Sequence, residues 1–385
     1  MPMTRRGAIG LAASVTSIPA ATAAVGDAPQ NGNAHLFPGE EVIQVNGYPS
    51  LIRYQPSTGD GPLVVFVPGT SFLARIAYGY PGGRSTDFLS HWLVEAGFPF
   101  LGTSYPLDNP VYSVRYPAFT ITDWGRQVAG AARRTIDANR LGNRIIVVGW
   151  SMGGKIVEKV AQAARAAGLD LRLFVALDAL PPGLNLFPGN AEQLALAPDG
   201  LVDQSASLLP WFTSMVGIQG RINGHPIMSA ADLRRLFTGN PPLDLQGEAA
   251  RYRDGRIVQD VAAAMQDGGG TDYGQYPPVA LIVSNGAADY PNVLLCRSNW
   301  ALCLGQGLYR RLVYPHRDRI PALPAQRWDA LQAIFAGAAQ RLTIQVAGTH
   351  FLFLGETGAR ATAAAITALA ERSAQTENEI AGLIG

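Results

Sequence analysis

Gly149-Trp150-Ser151-Met152-Gly153-Gly154 follows directly on the apolar run Ile145-Ile146-Val147-Val148. The spacing has a steric reason. A strand that turns at once into a helix holds the serine in strained backbone geometry and exposes its hydroxyl. Glycines two residues before and two after let the crossing backbones approach closely. The hydroxyl then sits at a helix start, where backbone amides and the helix dipole favour a developing oxyanion. The chemistry that suits such a serine is attack on a carbonyl carbon.

Such a serine needs a base. The chain holds five histidines: His35, His91, His225, His316 and His350. Only His350 follows directly on a buried-strand pattern, in Val346-Ala347-Gly348-Thr349-His350, which brings it to the sheet edge where Ser151 is expected. A neutral imidazole there takes the serine proton during attack. A carboxylate on the far ring nitrogen fixes the tautomer and stabilises the imidazolium. Two aspartates compete for that place. Asp178 ends the strand after the serine helix, and Asp289 follows the next strand, in Ser284-Asn285-Gly286-Ala287-Ala288-Asp289. Both give the chain order Ser, Asp, His. The oxyanion needs two backbone donors: the amide of Met152 and one from the loop after Leu63–Val67, where Thr70 or Gly69 is the candidate. Pro68 has no amide to offer.

The elements that must position these groups alternate. Glu41 to Val45 and Leu51 to Tyr54 flank Asn46-Gly47 and read as a hairpin. Buried strands are expected at Leu63 to Val67, Phe98 to Thr103, Leu171 to Leu177, Val279 to Val283 and Leu342 to Val346, beside the serine strand. Helices are expected at Asp87 to Glu95 (capped at Ser85 or Thr86), Asp123 to Ala138, Met152 to Ala167 and Ala359 to Glu371. This alternation predicts an α/β fold with a mostly parallel central sheet flanked by helices. Residues 182–276 hold no obvious buried strand and read as an insertion over the C-terminal strand edge, where open α/β sheets bind ligands. Within it, Leu208-Leu209-Pro210-Trp211-Phe212 and Met215-Val216 suit either packing on the body or a greasy wall for an acyl chain.

Composition narrows the function further. Of 385 residues, 48% are hydrophobic and 15% charged, enough to bury a large core. A net charge of +1 argues against nucleic acid as partner. No apolar run is long enough to span a membrane. Thr4-Arg5-Arg6-Gly7, the apolar stretch Ala8 to Ile18 and the small residues through Ala24 read as a twin-arginine-like export signal. The expected divisions are a signal over 1–24, a flexible leader over 25–39, core over 40–181, a lid insertion over 182–276 and core again over 277–385. Export, to the periplasm or beyond, makes a disulfide between Cys296 and Cys303 possible. No metal, cofactor or partner protein is implied.

The chain resembles the α/β-hydrolase superfamily over most of residues 40–375. Gly149-Trp150-Ser151-Met152-Gly153-Gly154, Val175-Ala176-Leu177-Asp178-Ala179-Leu180-Pro181-Pro182 and Ala347-Gly348-Thr349-His350-Phe351 look like its thioesterase-domain branch. That likeness implies an α/β-hydrolase fold, with Asp178 as the acid and a lid after it. Gly286-x-x-Asp289 matches the more widespread pattern of the superfamily, in which the acid follows the penultimate strand. The His-Gly common at the oxyanion loop is replaced here by Pro68-Gly69-Thr70. The expectation is an exported serine hydrolase acting on carboxylic esters, including lipid or polymeric esters, or on thioesters. An acyltransferase on the same triad and a non-catalytic binding protein of the same fold are the rival readings.

Overall fold

The computed structural model describes residues 34–184, 186, 195–197, 199–205 and 208–385. The signal-like segment, and part of the 182–276 stretch, lie outside them. Residues His35–Gly385 make one compact unit.

The chain enters through the hairpin β1 (Glu40–Val45) and β2 (Tyr48–Gln55). Asn46 (φ 50°) and Gly47 (φ 83°) supply the two left-handed residues that a tight two-residue turn demands. β3 (Leu63–Val67), β4 (Phe100–Ser104), β5 (Arg144–Trp150) and β6 (Asp170–Leu177) follow. A separate hairpin, β7 (Ala250–Arg253) and β8 (Arg256–Gln259), precedes β9 (Val279–Val283) and β10 (Thr343–Gln345). The main sheet runs β1-β2-β4-β3-β5-β6-β9-β10. It is antiparallel at β1–β2–β4 and parallel from β4 onward. Every residue of β3, β4 and β9 is buried, as expected of strands covered by helices on both faces. This is a mixed α/β fold with a mostly parallel central sheet flanked by helices, as the sequence pattern predicts.

Several elements differ from the sequence-based expectation, each for a local reason. Ser85–Asp87 forms a single 3-10 turn, and the helix begins only at Leu89, because Phe88 is extended (φ −121°, ψ 141°). Neither Ser85 nor Thr86 caps that helix. The helix after Ser151 opens as a 3-10 turn, Ser151–Ile156, and becomes α-helical over Val157–Ala166. The last helix runs on to Ile384, as Glu356–Ile384. Two further helices, Tyr290–Leu308 and Ala325–Arg341, fill the span before β10 that the sequence pattern left unassigned. They pack with the last helix around a second small core of Leu308, Val313, Leu331 and Ile380.

The flexible leader is corrected at its C-terminal end. Arg75 donates to the His35 carbonyl (2.6 Å), pairs with Glu40 (2.7 Å) and stacks over the Phe37 ring. The disulfide is also corrected: Cys296 and Cys303 are both free and buried. They lie seven residues apart on one helix, about 10 Å of axial rise, too far for a disulfide, whose Cα atoms lie within about 7 Å. Burial pushes the Cys303 thiol up to about 12.

Within 182–276, the helix Leu208–Ile222 is tied to the body. Gln219 accepts from the Thr349 amide (3.1 Å) and donates to the Leu354 carbonyl (3.0 Å). Just beyond the helix, His225 Nε2 lies 2.8 Å from the buried Asp87 carboxylate. Asp267, near the end of the helix Val261–Gly268, accepts from the amides of Ile121 and Thr122 (3.1 and 2.8 Å), at the start of the helix Ile121–Asn139. Such ties fix the described parts of this stretch to the loops and helices around the sheet. Among the described residues no helix is long and apolar enough to cross a membrane.

Candidate active site

Ser151 is the first residue after β5 and sits at φ 54°, a left-handed conformation that costs a non-glycine residue energy. The glycines around it are explained by close approach. A Cβ at Gly149 would meet the Gly153 carbonyl oxygen at 2.6 Å, and one at Gly153 would meet the Val67 carbonyl oxygen at 2.9 Å. Gly69 lies against the serine itself, where an added Cβ would come within 2.7 Å of the Ser151 Cβ.

The other candidates reach the same sheet edge from separate strands. Asp178 is the first residue after β6, Asp289 lies in the turn Ala287–Asp289 after β9, and His350 lies five residues beyond β10. All three side chains are buried. His350 Nδ1 lies 3.1 Å from Asp289 Oδ2, a hydrogen bond, and 3.6 Å from Asp178 Oδ2, which is longer than one. The shorter contact thus belongs to Asp289, whereas the thioesterase-like motifs pointed to Asp178. A proton held on Nδ1 by Asp289 leaves Nε2 with its lone pair, the form a base requires.

The remaining carboxylate oxygens are occupied. Asp178 Oδ1 accepts from the Ser284 amide (3.0 Å), and Asp289 Oδ1 accepts from Asn292 Nδ2 (2.6 Å). The ligand atoms of the two aspartates and His350 lie within 4.8 Å of one another, closer than any other such group among the described residues. With Nδ1 bonded to Asp289 and an outer oxygen of each acid accepting an N–H, the arrangement is one of acids holding a base.

Burial alone would depress the His350 imidazole. The Asp289 charge, the hydrogen bond that Asp289 accepts and the Asp178 charge overcome that and push it up to about 9. Burial raises the Asp178 carboxyl, against the nearby His350 charge and the Ser284 amide.

Ser151 and His350 line one cavity of about 450 Å³, together with Thr70, Met152, Asp289 and Asn292. Among the described residues Ser151 Oγ makes no hydrogen bond. Thr70 lines the cavity; Gly69 packs against Ser151 while its carbonyl accepts from the Tyr105 hydroxyl (3.0 Å). Met152, the second residue of its turn, has an amide with no preceding turn to bond.

Two walls of the cavity differ in character. Leu180, Leu208, Trp211 and Phe212 are apolar, and the Trp211 ring lies 5.2 Å from the His350 ring. On the polar wall, Lys155 Nζ donates to the Gln246 carbonyl (2.5 Å) and to Glu248 Oε1 (2.9 Å), fastening the insertion to the serine turn.

Sequence reasoning missed two positioning residues. Trp150 reads as core, and it is fully buried, yet its Nε1 donates to the His350 carbonyl (2.9 Å). Asn292 fixes Asp289 and lies 3.2 Å from His350 Nδ1, while the Cys296 thiol approaches Asn292 Oδ1 at 3.6 Å. Its signal, Asp289-x-x-Asn292, lies at the start of a helix the apolar pattern does not announce. The other histidines stand apart: His91 lies in the helix Leu89–Glu95, His316 in an exposed turn, and His225 holds Asp87.

No protein-family model matches this chain, and no curated protein does. Among solved structures it is similar to a thermophilic esterase from Thermogutta terrifontis, at 12% identity over 87% of this chain and 98% of that one (TM-score 0.47). The thioesterase domain from the curacin biosynthetic pathway is similar at 12% identity over 86% of this chain and 98% of that one (TM-score 0.38). An epoxide hydrolase, CorEH, is similar at 13% identity over 66% and 85% (TM-score 0.35). At that distance, none of the three says what this chain acts on.

Proposed function

We propose that the protein is an exported serine hydrolase that cleaves carboxylic esters through an acyl-enzyme. The observation carrying this reading is one cavity holding a strained, glycine-flanked Ser151 beside a buried His350 whose Nδ1 is hydrogen-bonded to Asp289. Ser151 Oγ attacks the ester carbonyl carbon as its proton passes to His350 Nε2. The oxyanion that forms is met by the Met152 amide and an amide of the Thr70 loop. His350 then protonates the departing alkoxide, and the C–O bond breaks to leave the acyl group on Ser151. Water, deprotonated by the same imidazole, attacks the acyl carbon and releases the acid and the free serine.

Support for an apolar ester comes from the Leu180, Leu208, Trp211 and Phe212 wall. Tyr290, which lines the cavity and is 64% exposed, and Leu294, one turn further along its helix and 66% exposed, extend apolar surface outward. Lipid or polymeric esters fit such a mouth better than small charged ones. The test is hydrolysis of a panel of nitrophenyl esters, thioesters, lactones and amides by the purified protein, beside Ser151→Ala and fluorophosphonate labelling. Ester turnover and a label on Ser151, both lost in Ser151→Ala, are expected. Full esterase activity in Ser151→Ala would refute the reading.

A further inference from the structure

We infer that His350 is served by two acids, Asp289 holding the ring and Asp178 acting as a second carboxylate that compensates the imidazolium. This rests on the serine-hydrolase reading and deepens it.

Asp178 carries three marks that packing alone does not explain. Its carboxylate is fully buried, and its Oδ2 has no hydrogen-bond partner. A buried carboxylate oxygen without a donor destabilises a fold. Its backbone is left-handed (φ 42°), which a non-glycine residue adopts at a cost. Its unpartnered oxygen lies 3.6 Å from His350 Nδ1. Strain, burial and a missing donor thus coincide at one residue beside the base.

The titratable groups facing this corner come from every element packed on it: Asp178 after β6, Asp289 after β9, His350 after β10 and Cys296 on the helix Tyr290–Leu308. Burial, with both acid charges adding, holds the Cys296 thiol well above its usual range, so it stays neutral. The cations of the cavity do not reach the corner: Lys155 is spent on Glu248 and the Gln246 carbonyl.

With the ring neutral, at alkaline pH, Asp289 is the carboxylate bonded to Nδ1. When the ring takes the serine proton on Nε2, a full positive charge appears beside Asp178 Oδ2, which then faces an opposite charge while the Nδ1–H stays on Asp289. An attraction that is strong only once charge has developed accelerates the chemical step. The same carboxylate makes the imidazole harder to keep neutral, so the gain is realised at alkaline pH.

The experiment compares Asp178→Asn, Asp289→Asn and the double variant in nitrophenyl ester hydrolysis, with kcat/KM followed across pH and folding checked by circular dichroism. Asparagine at 178 still offers an oxygen to the Ser284 amide. Asp178→Ala runs beside it, so that one poorly folded protein does not decide the result. Asp289→Asn should keep activity well above the double variant, which should fall by about 10⁴-fold in kcat. Asp178→Asn and Asp178→Ala should each lose about tenfold in kcat and move the acid limb of kcat/KM down by about one pH unit. Asp289→Asn as inactive as the double variant overturns the proposal, as does an acid limb unmoved in both Asp178 variants. Activity persisting in Ser151→Ala would instead remove the serine-hydrolase reading on which the proposal rests.

Discussion

The serine turn and the acid–histidine corner line one cavity, yet they are built in opposite ways. Gly149 to Gly154 is a contiguous run whose geometry is set by its own small residues and the strand before it. The corner draws Asp178, Asp289, Asn292 and His350 from three loops and a helix, and Trp150 and Gln219 hold its histidine loop from two further elements. Local sterics suffice for the first. The second exists only once β6, β9 and β10 lie side by side. A nucleophile can therefore be recognised from six residues, whereas its base and acid need the whole sheet.

The largest expected effect tests whether the two halves act as a unit. Ser151→Ala and His350→Ala should each lose about 10⁶-fold in kcat, and the double variant should lose no more. Additive losses, read by active-site-titrated kinetics, would mean the halves work independently.

Gly69→Ala addresses the serine half alone. The added methyl meets the Ser151 Cβ, and displacing a nucleophile by about 1 Å costs roughly 10²-fold in kcat. The acid limb of the pH profile should not move. A normal kcat would show that the turn yields where it is expected to be rigid.

The pH profile addresses the other half. His350 must be neutral to accept a proton, and the nearby carboxylates favour its charged form, pushing it up to about 9. Activity should therefore rise with pH through a limb above the ordinary histidine value of about 6.5. A limb at or below that value would mean the acid charges are not felt.

The smallest effect concerns the tie between the insertion and the histidine loop. Gln219→Ala leaves the buried Thr349 amide without its acceptor. A loss of about 1–3 kcal/mol in denaturant unfolding is expected, together with a drop in kcat of less than about tenfold.

Much of this was legible in advance, and the failures are physical. Val279–Val283 was read with its bounds intact, and Leu63–Val67 likewise, because a strand covered on both faces is a continuous apolar run. Tyr290–Leu308 escaped because apolar residues lie all around it: Leu294 and Leu302 are exposed while Cys296 and Trp300 are buried. Missing that helix hid Asn292 and left the two cysteines free to be paired on paper. The 3-10 opening of the serine helix was invisible because sequence periodicity does not separate 3-10 from α in six residues.

The sequence by itself determined the strand order in the chain, the strained serine and the short set of residues able to serve it, since these depend on local sterics and on runs of apolar side chains. It took the packed sheet to decide that Asp289 makes the hydrogen bond to His350 while Asp178 Oδ2 stands half an ångström further off without a donor. Such a difference is set by how adjacent strand ends and the Asn292 helix pack, and no spacing along the chain records it.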